Sequence, residues 1–166
     1  MKAAIALVLF HLVFCGTALA NDCPDPGQDA VFAINGNFPG SAEVTSVAFT
    51  REDLVALASK KAVMERPWAK TPVVIEGPLL SEVIAASGVS GNRIKIRAKN
   101  DYAAEVPLER ANEFSAIVDI DMDGEKLTVR NGGPLFLLHP IVSKTSNPQE
   151  TYESYSIWQV CEIEVD

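Results

Sequence analysis

The Asp123-Gly124 pair inside Met122–Pro140 is the feature that most restricts how this chain can fold. Asp-Gly between two strand-like runs makes a tight hairpin, because a primed two-residue turn needs positive φ at both central positions. A short strand ending at Arg130, a Gly132-Gly133-Pro134 bend and the apolar run Leu135–Leu138 follow without a spare residue. Arg130 is therefore expected at a strand end, beside glycine backbone that lets a ligand come close. A guanidinium there suits a planar polar edge or an anion, which its fork can meet with two parallel hydrogen bonds.

Residues 1–20 read as a secretory signal. Lys2 supplies the positive start, Ala3–Phe14 the apolar stretch, and Ala18-Leu19-Ala20 the small-residue cleavage site before Asn21. The apolar stretch is shorter than a membrane span requires. Phe14 ahead of Cys15 is also a poor fit to the small residue of a lipoprotein site. Residues 21–166 are thus expected as one exported domain in the periplasm. The chain carries a formal net charge of −8, and the signal contributes only a positive charge. An acidic domain without a basic patch has no use for nucleic acid as a partner. Its two cysteines, Cys23 and Cys161, are expected to pair in an oxidising compartment. A reactive or metal-binding thiol is the alternative, and no neighbouring histidine supports it.

Along the domain, residues 21–28 form a lead-in loop broken by Pro24, Pro26 and Gly27. Ala30–Ile34 and Val44–Phe49 read as strands. Thr50 caps a helix whose apolar face is Leu54, Val55, Leu57 and Ala58, and which should stop before Pro67. Thr71–Glu76 is a compact apolar strand, and Gly77-Pro78 turns it into a helix, Leu79–Ser87, that ends at Gly88. Arg93–Ala98 alternates as a half-exposed strand, Asn100-Asp101 turns it, and Tyr102–Val106 returns beside it. Pro107 opens a short helical stretch to Asn112, Ser115–Asp121 is a strand feeding the hairpin, and Tyr152–Val165 is a last, long one. Short strands with two or three short helices define an α+β domain built on a largely antiparallel mixed sheet.

Several chemistries are excluded. Asp119, Asp121, Asp123 and Gly124 imitate the first half of a calcium loop, but its twelfth position, which must be a bidentate glutamate, is Arg130. These aspartates are expected at the exposed edge and turn of the hairpin. His139, the one histidine of the domain, lies in an apolar run and reads as a packed residue, so neither a nucleophile set nor a zinc site can be assembled. No glycine-rich loop leads into a helix as nucleotide hydrolysis would need. Trp68, between Pro67 and Ala69-Lys70, belongs to no periodic pattern. It is either a lid on the core or a stacking face for a flat heterocycle.

The ordered set Phe49-Thr50-Arg51-Glu52-Asp53-Leu54, Gly77-Pro78-Leu79-Leu80-Ser81-Glu82-Val83-Ile84, Asn100-Asp101-Tyr102, Glu105-Val106-Pro107, Met122-Asp123-Gly124, Val129-Arg130, Gly133-Pro134-Leu135 and Pro140 resembles the molybdopterin-binding domain of the sulfite oxidase family. It is similar to the family's small exported form over roughly residues 45–142. The resemblance implies the sulfite oxidase fold with a pterin in a pocket lined by these loops. Enzymes of the family hold molybdenum through a cysteine that would fall within Val63-Met64-Glu65-Arg66, where this chain has none, and a missing thiolate removes the soft donor that helps select the metal. The cofactor implied is then a reduced pterin, with molybdenum not expected. Members lacking that cysteine resemble periplasmic pterin-binding regulators of the PruR type, which are not enzymes and signal to the periplasmic domain of a membrane-bound cyclic-di-GMP-metabolising protein. Carried onto this chain, the pterin site comprises Trp68 for stacking, Arg130 and Asp101 for the polar edges, and Asn100, Tyr102 and Gly133 as walls. A molybdopterin-dependent oxidoreductase is the alternative.

Overall fold

The computed structural model describes Cys23 and residues 29–64, 70–139 and 156–166. Five strands form the largest sheet: β1 (Ala30–Asn37), β2 (Val44–Thr50), β5 (Arg93–Ala98), β6 (Ala103–Pro107) and β12 (Val160–Val165), in the order β2-β1-β12-β5-β6. Every pairing is antiparallel except β1 with β12, where Ala33 lies beside Glu162 and Gly36 beside Val165. One face of this sheet is apolar. Phe32, Ile34, Ile94, Ile96, Val106, Ile163 and Val165 alternate onto it and pack against the buried Leu80, Val83 and Ile84 of α2 (Leu80–Ser87), which is the strand period of two meeting a helix stripe.

Two smaller sheets complete the described architecture. β11 (Ile157–Trp158), β10 (Phe136–Leu138) and β7 (Ile117–Asp119) form one. The other is β3 (Ser59–Met64), β4 (Val73–Pro78), β8 (Asp121–Met122) and β9 (Glu125–Lys126), in that order. Met64, Val73, Ile75, Ile117, Leu127, Phe136 and Leu138 make a second core between them. β4 and β7 approach so closely at Gly77 that a Cβ there would stand 1.9 Å from the Val118 carbonyl oxygen. The mostly antiparallel mixed sheets with few short helices agree with the expected α+β class.

Local signals account for most boundaries. Thr50 and Asp53 close a reciprocal cap on α1 (Arg51–Ala56), Asp53 accepting from the Thr50 amide at 2.8 Å and the Thr50 hydroxyl from the Asp53 amide at 3.1 Å. Gly88, at φ 74°, ends α2 in the left-handed region. Asp123 (φ 54°) and Gly124 (φ 80°) make the anticipated hairpin between β8 and β9. The short α3 (Leu108–Glu113) starts after Pro107.

Four expectations fail. The helix after Thr50 does not run toward Pro67: Leu57 turns extended (ψ 160°), and Ser59–Met64 pairs with β4 over six positions, from Ser59 beside Pro78 to Met64 beside Val73. A full ladder satisfies those backbone groups, and no glycine or proline marked the switch. Arg130 does not end a strand. Val129–Asn131 is a 3-10 turn because the Asn131 side chain folds back to accept from the Thr128 amide at 2.5 Å and the Asn131 amide donates to the Thr128 carbonyl at 3.0 Å. The final strand is broken at Gln159 (φ 52°) into β11 and β12, while its expected start, residues 152–155, lies outside the described residues. The aspartates of 119–123 are not simply edge groups. Asp119 is fully buried and accepts from the Glu76 amide (2.8 Å), Asp121 is half-buried and held by Arg51, and Asp123 accepts from the Val74 amide (2.7 Å). They stitch β4 and α1 to the hairpin.

Candidate functional site

Gln159 is the knot from which the site is built. Its left-handed backbone lets its amide donate to the Gly132 carbonyl (2.8 Å), while its carbonyl accepts from the Lys99 amide (3.0 Å) and its side-chain Nε2 donates to the Val129 carbonyl (3.0 Å). Three segments distant in sequence therefore meet: the β5–β6 turn, the 3-10 turn and the break between β11 and β12. The β5–β6 turn is itself internally tied, with the Ala98 amide on the Tyr102 carbonyl (2.9 Å), the Asp101 amide on the Ala98 carbonyl (3.2 Å) and the Tyr102 amide on the Asn100 side chain (3.3 Å). Behind them Gly133 is buried with its amide on the Thr128 carbonyl (2.7 Å), and a Cβ would meet Leu127 and Thr128 backbone at 2.7 Å.

The gap enclosed by these segments is a cleft of about 390 Å³ lined by Asn100, Val129, Arg130, Asn131, Gly132, Phe136, Trp158 and Gln159. Trp158 stands opposite Phe136 in the β10–β11 ladder and keeps 52% of its surface exposed. Arg130 is exposed and makes no ion pair among the described residues. The wall thus offers one uncommitted guanidinium, one aromatic face and the side-chain amides of Asn100 and Gln159. Such a set can stack a flat ring and hydrogen-bond its polar rim.

The residues expected at the site separate into three groups. Asn100 and Arg130 line the cleft together. Asp101 (φ 63°) and Tyr102 sit on the adjoining turn, exposed but outside the cleft wall, because the tight turn carries them past its lip. Gly133 is buried behind the cleft, where the absence of a side chain lets the 3-10 turn approach the Leu127 and Thr128 backbone, and it is not among the lining residues. Trp68 lies outside the described residues. Trp158 was missed, although its signal was present: in Ile157-Trp158 the buried isoleucine turns the tryptophan outward.

A larger cleft of about 440 Å³ opens at the end of the five-stranded sheet, but four of its five charged residues are paired with one another, Arg93 with Asp166 (3.4 Å) and Lys95 with Glu164 (3.6 Å), and no aromatic side chain lines it. His139 is fully buried with its ring edge-on to Phe114, centroids 6.1 Å apart. Desolvation lowers its pKa to about 4, so it is a neutral packing residue at pH 7.

Cys23 and Cys161 are joined in a disulfide, Cα atoms 5.9 Å apart, so neither supplies a thiolate. Among the described residues no group of three or more His, Cys, Asp or Glu could hold a metal ion. The donors fit the rim of a pterin and do not fit a thiolate-held metal.

A loop-built cleft on a β-rich scaffold that presents an arginine and a tryptophan is an arrangement able to hold a flat heterocycle. Residues 45–148 match the model of the oxidoreductase molybdopterin binding domain, and the chain belongs to this family. Among solved structures, the sulfane dehydrogenase SoxCD from Paracoccus pantotrophus superposes with a TM-score of 0.60 at 19% identity, over 83% of this chain and 38% of that one. The shared fold is the sulfite oxidase fold, and the chain spans less than half of that protein's length. No curated protein matches the sequence.

Proposed function

We propose that this protein binds a reduced pterin in the periplasm, without catalysing a reaction, and relays pterin status to the periplasmic domain of a membrane-bound cyclic-di-GMP-metabolising protein. The observation that carries the reading is that Arg130, which makes no ion pair among the described residues, and the half-exposed Trp158 line one cleft, in a chain of the molybdopterin-binding family. Arg130 donates to the ring's carbonyl or to an anionic substituent. The carbonyl oxygens of the Asn100 and Gln159 amides accept from ring N–H groups, and Trp158 covers one face of the ring. The thiol inventory supports the non-catalytic reading: Val63-Met64-Glu65-Arg66 holds no cysteine, and Cys23 and Cys161 are bonded to each other. Export is supported by the signal-like residues 1–20 and by the disulfide.

Calorimetric titration with tetrahydrobiopterin tests the reading. Wild-type protein binds, and Arg130→Ala and Trp158→Ala each weaken binding by about tenfold, the equivalent of roughly 1.4 kcal/mol. Equal affinity in wild type and both variants removes this cleft as the site. The oxidoreductase alternative predicts stoichiometric molybdenum in protein made in a molybdenum-replete host, which elemental analysis measures.

A further inference from the structure

β2 ends the five-stranded sheet, and no described strand pairs with its outer edge. The other outer strands are charged or short. β3 carries Lys60 and Lys61, β6 carries Glu105 and Pro107, β9 consists of Glu125 and Lys126 alone, and β11 and β7 are two and three residues long. Charges, prolines and short length are the usual means of preventing edge-to-edge pairing. β2 has none of them: Val44-Thr45-Ser46-Val47-Ala48-Phe49-Thr50 is seven residues without charge or proline. Val44 is 69% exposed, Ser46 and Ala48 are exposed, and Val47 is half-buried at the rim of the main core.

We propose that β2 is a self-association edge, along which a second copy of this chain adds its own β2 antiparallel about a two-fold axis through Val47. Chemistry at the edge favours a copy over an unrelated strand. A two-fold pairing sets Val47 against Val47, Ser46 against Ala48, Thr45 against Phe49 and Val44 against Thr50. Every pair is uncharged, and three of the four match a β-branched side chain with an aromatic or with another β-branched one, which are favourable cross-strand neighbours. The Val47 pair continues the apolar side of the sheet that Phe49 already occupies, so the main cores of the two copies become continuous across the joint. An isologous contact of this kind closes on itself and yields a dimer, not a fibre.

Sedimentation velocity across a concentration series, together with oxidative cross-linking, tests the proposal. Wild-type protein shifts from monomer to dimer as concentration rises, and Val47→Lys, which sets like charges opposite each other at the axis, stays monomeric with an unchanged far-ultraviolet spectrum. Two conservative variants guard against a folding artefact. At the axis two Val47→Cys residues lie roughly 4.5–5.5 Å apart between Cα atoms, within disulfide range, so that variant cross-links to itself. Two Val44→Cys residues lie about 20 Å apart in the same register, so that variant does not. A protein that remains monomeric, a dimer that survives Val47→Lys, or equal cross-linking of the two cysteine variants overturns the proposal. Capture of a different protein through β2 by monomeric chain overturns it equally.

Discussion

Lowering the pH from 7 should destabilise this protein through one imidazole. His139 is fully buried, and desolvation sets its pKa at about 4 against an ordinary 6.5 in the unfolded chain. The folded state therefore excludes a proton that the unfolded state takes up as soon as pH falls through 6.5. Stability from this group is fully present above 6.5 and is lost progressively down to about 4, where the folded imidazole protonates as well and the loss levels off. The difference between about 4 and 6.5 corresponds to a total of roughly 3 kcal/mol, of which about 2 kcal/mol is gone by pH 5. Asp53, whose carboxylate is held below its usual range by the Thr50 backbone amide and hydroxyl, acts only at lower pH. Urea unfolding monitored by circular dichroism at steps between pH 7.5 and 4.5 measures the effect. His139→Gln, which has no proton to gain, should be less stable at pH 7 and should fall less steeply with pH, converging on wild type by about 2 kcal/mol at pH 5. Parallel curves for the two proteins refute the argument.

Two further predictions concern the joints of the scaffold. Arg51 holds the Asp121 carboxylate with two contacts from Nη2, at 2.7 and 2.6 Å, and the Ile120 carbonyl through Nη1 at 2.9 Å, all partly buried. Arg51→Ala strands both acceptors and should cost about 2–4 kcal/mol in urea unfolding, whereas Arg51→Lys, which lacks the planar fork, recovers only part. At Gly77 the Val118 carbonyl leaves no room for a methyl group, so Gly77→Ala should cost about 3 kcal/mol, read as a fall in the urea midpoint; an unchanged midpoint would show that β4 and β7 can separate freely.

Legibility in the sequence followed the range of the forces involved. α2 with its Gly88 stop, the Asp123-Gly124 hairpin and the Asn100-Asp101 turn depend on residues adjacent in the chain, and they were readable. β3 was not, because its strand state comes from six pairings with β4 and not from its own composition. The sequence singles out Arg130 and Asn100, which line one cleft, but holds no view of what joins them. The knot is Gln159, a non-glycine residue at positive φ whose conformation no local signal announces. Trp158 escaped for a related reason: the alternation of its strand was visible, but the neighbours that turn its face into a cleft come from residues 100 and 129–132.

The parallel pairing of β12 with β1 has a consequence for the order in which the molecule can be made. β12 is the middle strand of the largest sheet, yet it is synthesised after every other described strand. Until residues 160–165 emerge, the sheet exists only as two separate ribbons, β1 with β2 and β5 with β6, which no direct ladder joins. Closure waits on contacts of long sequence separation, the slow kind to form. A chain of this topology therefore keeps its largest sheet open during most of its synthesis.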